Sequence, residues 1–143
     1  MSIEQNKAIY MQFLDILNTG ETDRLATIAD ADNFREMVVG VTPDWQTLPV
    51  AIEALAKDRQ AIPDLTLQPD DLWFDGEWVI ARCHAEGTNT GNFYGAPPSG
   101  NRVSFQAIDI VRIVNGKIVE RSLMPDATTM LRQMSLTPGE RNT

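Results

Sequence analysis

A chain of 143 residues, 43% apolar and 22% charged, has the balance of one globular domain able to bury about two-thirds of its unfolded surface. A net charge of -8 opposes binding to a nucleic-acid backbone or an anionic membrane, and no apolar run approaches the ~20 residues that span a bilayer. Cys83 and His84 are the only residues of their kinds, which excludes an internal disulfide and a thiolate cluster and leaves a zinc site little but carboxylates.

The opening "MSIEQNKAIYMQFLDIL" carries acids early and lacks a basic region with a cleavage site, so it does not read as a signal peptide, and a cytoplasmic location is expected. Ser2 and Gln5 have capping-box spacing, and Ile9, Tyr10, Phe13, Leu14, Ile16 and Leu17 recur at helical period. "NTG" ends that helix, and "ETDRLATIAD" reads as a second, shorter one. "NFREMVV" alternates like a short strand with Phe34, Glu36 and Val38 on one side. Thr47 is placed to cap a third helix with Pro49 in its first turn and Val50, Ile52, Leu55 and Ala56 as core contacts.

After "IPD" the pattern changes to long strands: "LTLQPDDLWFD", a turn at Gly76, then "EWVIARCHAEGTNTG". "NFYGAPPSGN" is a Gly/Pro-rich loop, and "RVSFQAIDIVRIV" follows it. Asn115-Gly116 is a strong hairpin signal joining that strand to "KIVERSLMP". "ATTMLRQMSL" reads as a last short helix before a polar tail over 137–143. Three helices followed by an antiparallel meander predict a single α+β domain over 1–136, in which a strongly curved sheet covered by the helices makes a hollow cone-shaped barrel.

Alternation puts Val103, Phe105, Ala107, Asp109, Val111 and Ile113 on one face, expected to line the cone. Asp109 then faces an apolar pocket, where desolvation favours a neutral acid able to donate to a carbonyl or enolate oxygen. The alternative is a structural aspartate bonded to backbone or to Arg35. If the next strand stays regular, Ile118, Glu120, Ser122, Met124 and Asp126 share a face and bring Asp126 to the pocket's edge. "PDATTML" is equally a sound N-cap arrangement for Asp126. Glu36 is either a second pocket carboxylate or a solvated or Arg-paired group. Phe13, Phe34, Met37, Trp45 and Phe105 are candidate pocket walls, though core packing would also explain them. His84 alternates with Arg82 and Glu86 and belongs to the outer face. That face also carries Trp78, Ile80, Ile108 and Ile110, which suits a two-fold homodimer contact. The prolines of "GAPPSGN" lack the amides a phosphate needs, and no strand-to-helix turn precedes it, so no nucleotide site is read there.

"NKAIYMQFLDILNTGETDRL", "FREM", "IPDL", "GTNTGNFYGAPPSGNRVSFQAIDIVRIVNGKIVER" and "DATTMLRQM" together resemble the SnoaL-like polyketide cyclase family, within the nuclear-transport-factor-2-like superfamily. The resemblance implies a cofactor-independent enzyme that closes a ring by intramolecular aldol condensation on an apolar carbonyl compound, with an aspartate as general acid/base. By family position that aspartate falls at Asp126. The superfamily's isomerases imply Asp109 as an oxyanion donor and Glu36 as a base, with their phenolic donor's place taken by Phe13. The family's usual tryptophan falls at Ser122, and its frequent histidines fall at Asn89, Arg121 and Met37. Asn89, Ser122 and Met124 thereby join the candidate pocket. The other class of function compatible with this fold is a non-catalytic module that holds a small molecule or pairs with a second copy.

Overall fold

Ser2 opens the first helix, α1 (Ile3–Thr19), with both halves of the capping box in place. Its hydroxyl accepts from the Gln5 amide at 3.1 Å, and the Gln5 side-chain oxygen accepts from the Ser2 amide at 2.8 Å. Gly20 ends the helix at φ 78°, a left-handed backbone that glycine adopts without steric cost. The computed structural model describes residues 2–136; the expected polar tail over 137–143 lies outside the described residues.

The expected second helix is a 3₁₀ helix of six residues, Thr22–Thr27. It stops because the sheet claims the backbone that follows: the Ile118 amide donates to Ile28, and the Asp30 amide donates to Ile118. Then come β1 (Arg35–Val38), α2 (Leu48–Ala61), β2 (Thr66–Asp75), β3 (Trp78–Thr88), β4 (Arg102–Val114), β5 (Lys117–Pro125) and α3 (Ala127–Gln133). Thr47 stands at the N-cap position of α2, but its hydroxyl makes no capping bond there.

The five strands form one curled sheet in the order β1-β5-β4-β3-β2. β2 to β5 are the expected antiparallel meander, while β1 joins parallel to β5. The sheet does not close into a barrel: β1 and β2 remain its two edges. α1 packs against β2 and α2 against β1, so helices rather than strand pairing fill the interval.

The concave face carries the core. Phe13, Leu14 and Ile16 of α1 meet Val79, Ala81, Cys83 and Ala85 of β3, with Val111 and Ile113 of β4 and Ile118 of β5. Each large apolar side chain buried there is worth roughly 1.5–3 kcal/mol. The inner residues of β3 are small between Ala81 and Ala85, which leaves space beneath the helices.

Candidate active site

The site depends on one extra residue. Arg112 pairs with Glu120, but Ile113 pairs with Ile118, so Val119 is a β-bulge in β5. A bulge shifts every later side chain to the other face. Ile118 is therefore inward, Glu120 outward, and Arg121 and Leu123 inward opposite Val111 and Asp109. Ser122 pairs with Ile110 on the outer side, and Met124 is 41% exposed. The regular alternation expected for this strand is corrected here, and with it the placement of Ser122 and Met124 in the pocket.

Arg121 is fully buried, and two carboxylates take its charge. Its Nε donates to Asp109 Oδ1 at 3.0 Å and its Nη2 to Oδ2 at 3.4 Å, while Nη1 donates to Glu36 Oε2 at 3.1 Å. Tyr10 donates its hydroxyl to Asp109 Oδ2 at 2.9 Å. The guanidinium carbon stands 4.6 Å from the Phe13 ring centroid, within cation–π range. Burial works against the Arg121 cation, but Asp109 and Glu36 outweigh it and hold the group protonated. Burial also pushes the Glu36 carboxyl up, with Arg121 opposing the rise. Asp109 accordingly acts as an acceptor for three donors. Asp109 meets Arg121 and Tyr10 and does not line the cavity described below, and it makes no bond to Arg35, which pairs instead with Glu120.

Arg121 also forms part of the wall of an interior cavity of about 100 Å³. Leu55, Ile62, Leu67, Phe93, Phe105 and Leu123 make the wall mostly apolar, Asn18 and Thr22 add polar groups to it, and Asp58 of α2 brings a carboxyl. Burial pushes the Asp58 carboxyl up to about 7, and the Glu36 carboxylate adds to the rise. The Tyr94 hydroxyl, which donates to Asp58 Oδ1 at 3.4 Å, and the Arg121 cation pull the other way. An acid poised near neutrality can both take and return a proton.

Of the residues expected from sequence, Phe105 lines the cavity, and Glu36 and Asp109 stand behind Arg121. Phe13 and Phe34 are buried in the core beneath the helices. Met37 turns to the outer side beside Ser122, and Trp45 is 37% exposed under the Arg35 guanidinium. Asn89 is buried, donating to the Ala61 and Gly91 carbonyls and accepting from Ser99, so it fastens the Gly/Pro-rich loop. Asp126 is exposed and caps α3, accepting from the Thr129 amide at 3.1 Å and hydroxyl at 2.6 Å. Those Thr129 bonds hold its carboxyl below the ordinary range, which weakens it as a base.

Sequence reading missed Asp58 and Arg121. Asp58 carried a usable signal: Leu48, Ala51, Leu55, Asp58 and Ile62 follow 3-4-3-4 spacing, and a lone acid on an apolar stripe marks a special environment. Arg121 carried none, because its side is set by the bulge. Among the described residues no group of three or more His, Cys, Asp and Glu side chains is placed to share a metal ion, and no helix is long and apolar enough to cross a membrane.

The model of the SnoaL-like polyketide cyclases matches residues 7–134. An aklanonic acid methyl ester cyclase of Streptomyces sp. strain C5 is 38% identical over 124 residues, covering 86% of this chain and 77% of the relative. Another, from Streptomyces peucetius, is 27% identical over 124 residues and 86% of each chain. Among solved structures, one described as a SnoaL-like polyketide cyclase from Jannaschia sp. CCS1 superposes with a TM-score of 0.84 at 20% identity, covering 94% of this chain and 96% of that one. The polyketide-cyclase fold of IdmH from Streptomyces antibioticus gives 0.80 at 23% identity, over 92% and 99%.

Proposed function

This chain belongs to the SnoaL-like polyketide cyclase family, and from that premise we propose that it closes a ring by intramolecular aldol condensation without a cofactor, using Asp58 as general acid/base. The observation that carries the reading is the pairing of one carboxyl and one guanidinium on a cavity wall that is otherwise mostly apolar, with Asn18 and Thr22 its other polar residues. The ionised Asp58 takes a proton from a carbon between two carbonyls. The resulting enolate carbon attacks a ketone carbon of the same molecule and forms the new carbon–carbon bond. The alkoxide left on that ketone oxygen takes the proton back from Asp58, so the reaction needs no other reagent.

Arg121 supplies the charge complement. A guanidinium has five N–H donors. Three bonds go to Asp109 and Glu36. Two N–H groups remain for an enolate or alkoxide oxygen, and donors already fixed in a dry site stabilise developing charge without reorganising. The cavity is smaller than the ~150 Å³ that holds a benzene ring. It therefore suits the reacting end of a β-dicarbonyl ester rather than the whole of a larger substrate.

A panel of polyketide-like β-dicarbonyl methyl esters tests this. Wild-type protein is expected to cyclise at least one, and Asp58→Asn to slow turnover by about 100- to 10,000-fold while still binding it. Full turnover in the Asn variant would overturn the assignment. Tight binding of esters with no turnover by the wild type would favour a non-catalytic binding module instead.

A further inference from the structure

The Gly/Pro-rich loop contains an unexpected residue for its backbone. Phe93 and Ala96 exchange both backbone hydrogen bonds, at 3.0 and 2.9 Å, closing a two-residue turn over Tyr94 and Gly95. Both central residues have positive φ, 47° at Tyr94 and 85° at Gly95. That is the geometry of a type I′ turn, which favours Asn-Gly because bulky L side chains meet steric resistance at positive φ. The β4–β5 turn uses that favoured pair, Asn115 and Gly116, at φ 50° and 79°. A tyrosine in the same conformation is strained, and local strain of this kind gathers at functional sites.

What the strain secures is visible on both sides of the turn. Phe93 forms part of the cavity wall, and the Tyr94 ring meets it edge-on with centroids 4.8 Å apart and planes at 82°. From there the Tyr94 hydroxyl reaches Asp58 Oδ1 at 3.4 Å. The edge-on packing would be served equally by phenylalanine. Only the hydroxyl distinguishes tyrosine, and its contact is with the cavity's carboxyl.

We propose that Tyr94 is a positioning residue for Asp58: its hydroxyl donates to Oδ1 and leaves Oδ2 as the oxygen that exchanges a proton with the substrate. This rests on the acid/base reading of Asp58. Two other charged groups act on the same carboxyl, Glu36 from β1 and Arg121 from β5. Neither changes when the tyrosine hydroxyl is removed, so a comparison of variants isolates the hydroxyl. A donor to a carboxylate favours its ionised form. The bond therefore keeps Asp58 easier to ionise than burial alone would.

The test is carboxyl-carbon NMR titration of Asp58 in the full-length protein, in wild type, Tyr94→Phe and Tyr94→Asn. Phe keeps the ring and removes the hydroxyl. Asn suits the left-handed backbone and is too short to reach Asp58. Both are expected to raise the Asp58 pKa by about half a unit to one unit, with the melting temperature of the Phe variant unchanged. An Asp58 pKa unmoved or lowered in Tyr94→Phe overturns the proposal, even if Tyr94→Asn moves it, since the ring rather than the hydroxyl would then be responsible. A wild-type Asp58 titrating in the ordinary carboxylate range would overturn the acid/base reading instead. The difference between wild type and Tyr94→Phe would still decide the role of Tyr94. With a turned-over substrate in hand, the acidic limb of the Tyr94→Phe pH–rate profile, which reports the ionisation of Asp58 as base, should move upward by the same amount.

Discussion

Asp58 and Arg121 face the same cavity, yet they bear on stability in opposite ways. The folded-state pKa of Asp58, about 7, lies above its ordinary value of 3.8. A carboxyl raised in this way contributes stability that is fully present below the unfolded value and is lost as pH rises through the folded one. Between pH 4 and pH 8 this group should remove at most about 4 kcal/mol of wild-type stability. Asp58→Asn lacks the titration, so its urea midpoint should exceed that of the wild type at pH 8 and lose the advantage toward pH 4. A constant difference across that range would contradict the placement of Asp58. Arg121 is different because, among the described residues, it is the one cation that pairs with both Asp109 and Glu36 in their buried cluster. Arg121→Met leaves both carboxylates without their ion-pair partner, and breaking a buried pair typically costs about 3–5 kcal/mol. Chemical denaturation at neutral pH measures it, and a loss below about 1 kcal/mol would mean the cluster is weakly coupled.

At the scale of elements, β5 and α3 decide which aspartate is available. Val119 is the residue that turns Arg121 inward. Deleting it would remove the bulge and leave a regular strand in which Ile118 and Arg121 still face inward and Glu120 outward, in the same register with β4. The variant should therefore still unfold cooperatively in a thermal melt followed by circular dichroism; loss of the cooperative transition would argue against the bulge. At the end of the same strand, Asp126 caps α3 through Thr129. Asparagine can still accept the amide bond, so Asp126→Asn should leave the melting temperature near that of the wild type, whereas Asp126→Ala should lower it. Neither should change the rate of a working substrate at a temperature where both are folded. A shared loss of turnover in the two variants would return the catalytic role to Asp126.

The whole molecule presents a convex sheet face less polar than water would favour. Trp73 is 49% exposed and Met124 41%, and Ile80, Ile108 and Ile110 lie half-buried around them. Arg82 and Arg112 cover the rings of Trp73 and Trp78 from the same side. A two-fold contact of this face with a second copy would bury the apolar centre and leave the paired charges at the rim. Sedimentation at micromolar concentration is expected to give twice the 15.9 kDa of one chain. Ile110→Asp, at the centre of the face, should then give monomers with an unchanged circular dichroism spectrum. A wild-type monomer would exclude the contact.

Much of this architecture is legible from local pattern, because helix and strand periods, caps and turns act over a few neighbouring residues. Ser2 and Gln5, the Asn115-Gly116 hairpin and the alternation from Val103 to Ile113 all specify their elements without tertiary help. The inward direction of Glu36 and Asp109 follows from the same alternation. What they meet does not. Their partner, Arg121, faces them only because one residue bulges, and a bulge arises from pairing between strands rather than from the sequence of either one. Whether the curled sheet closes was likewise settled by the short β1 lying parallel to β5 and by the helices that occupy the gap. Asp58 stands between the two cases. Its place on the apolar stripe of α2 was written in the spacing, but its proximity to Glu36 and Arg121, and so its affinity for a proton, exists only once the helix lies across the sheet.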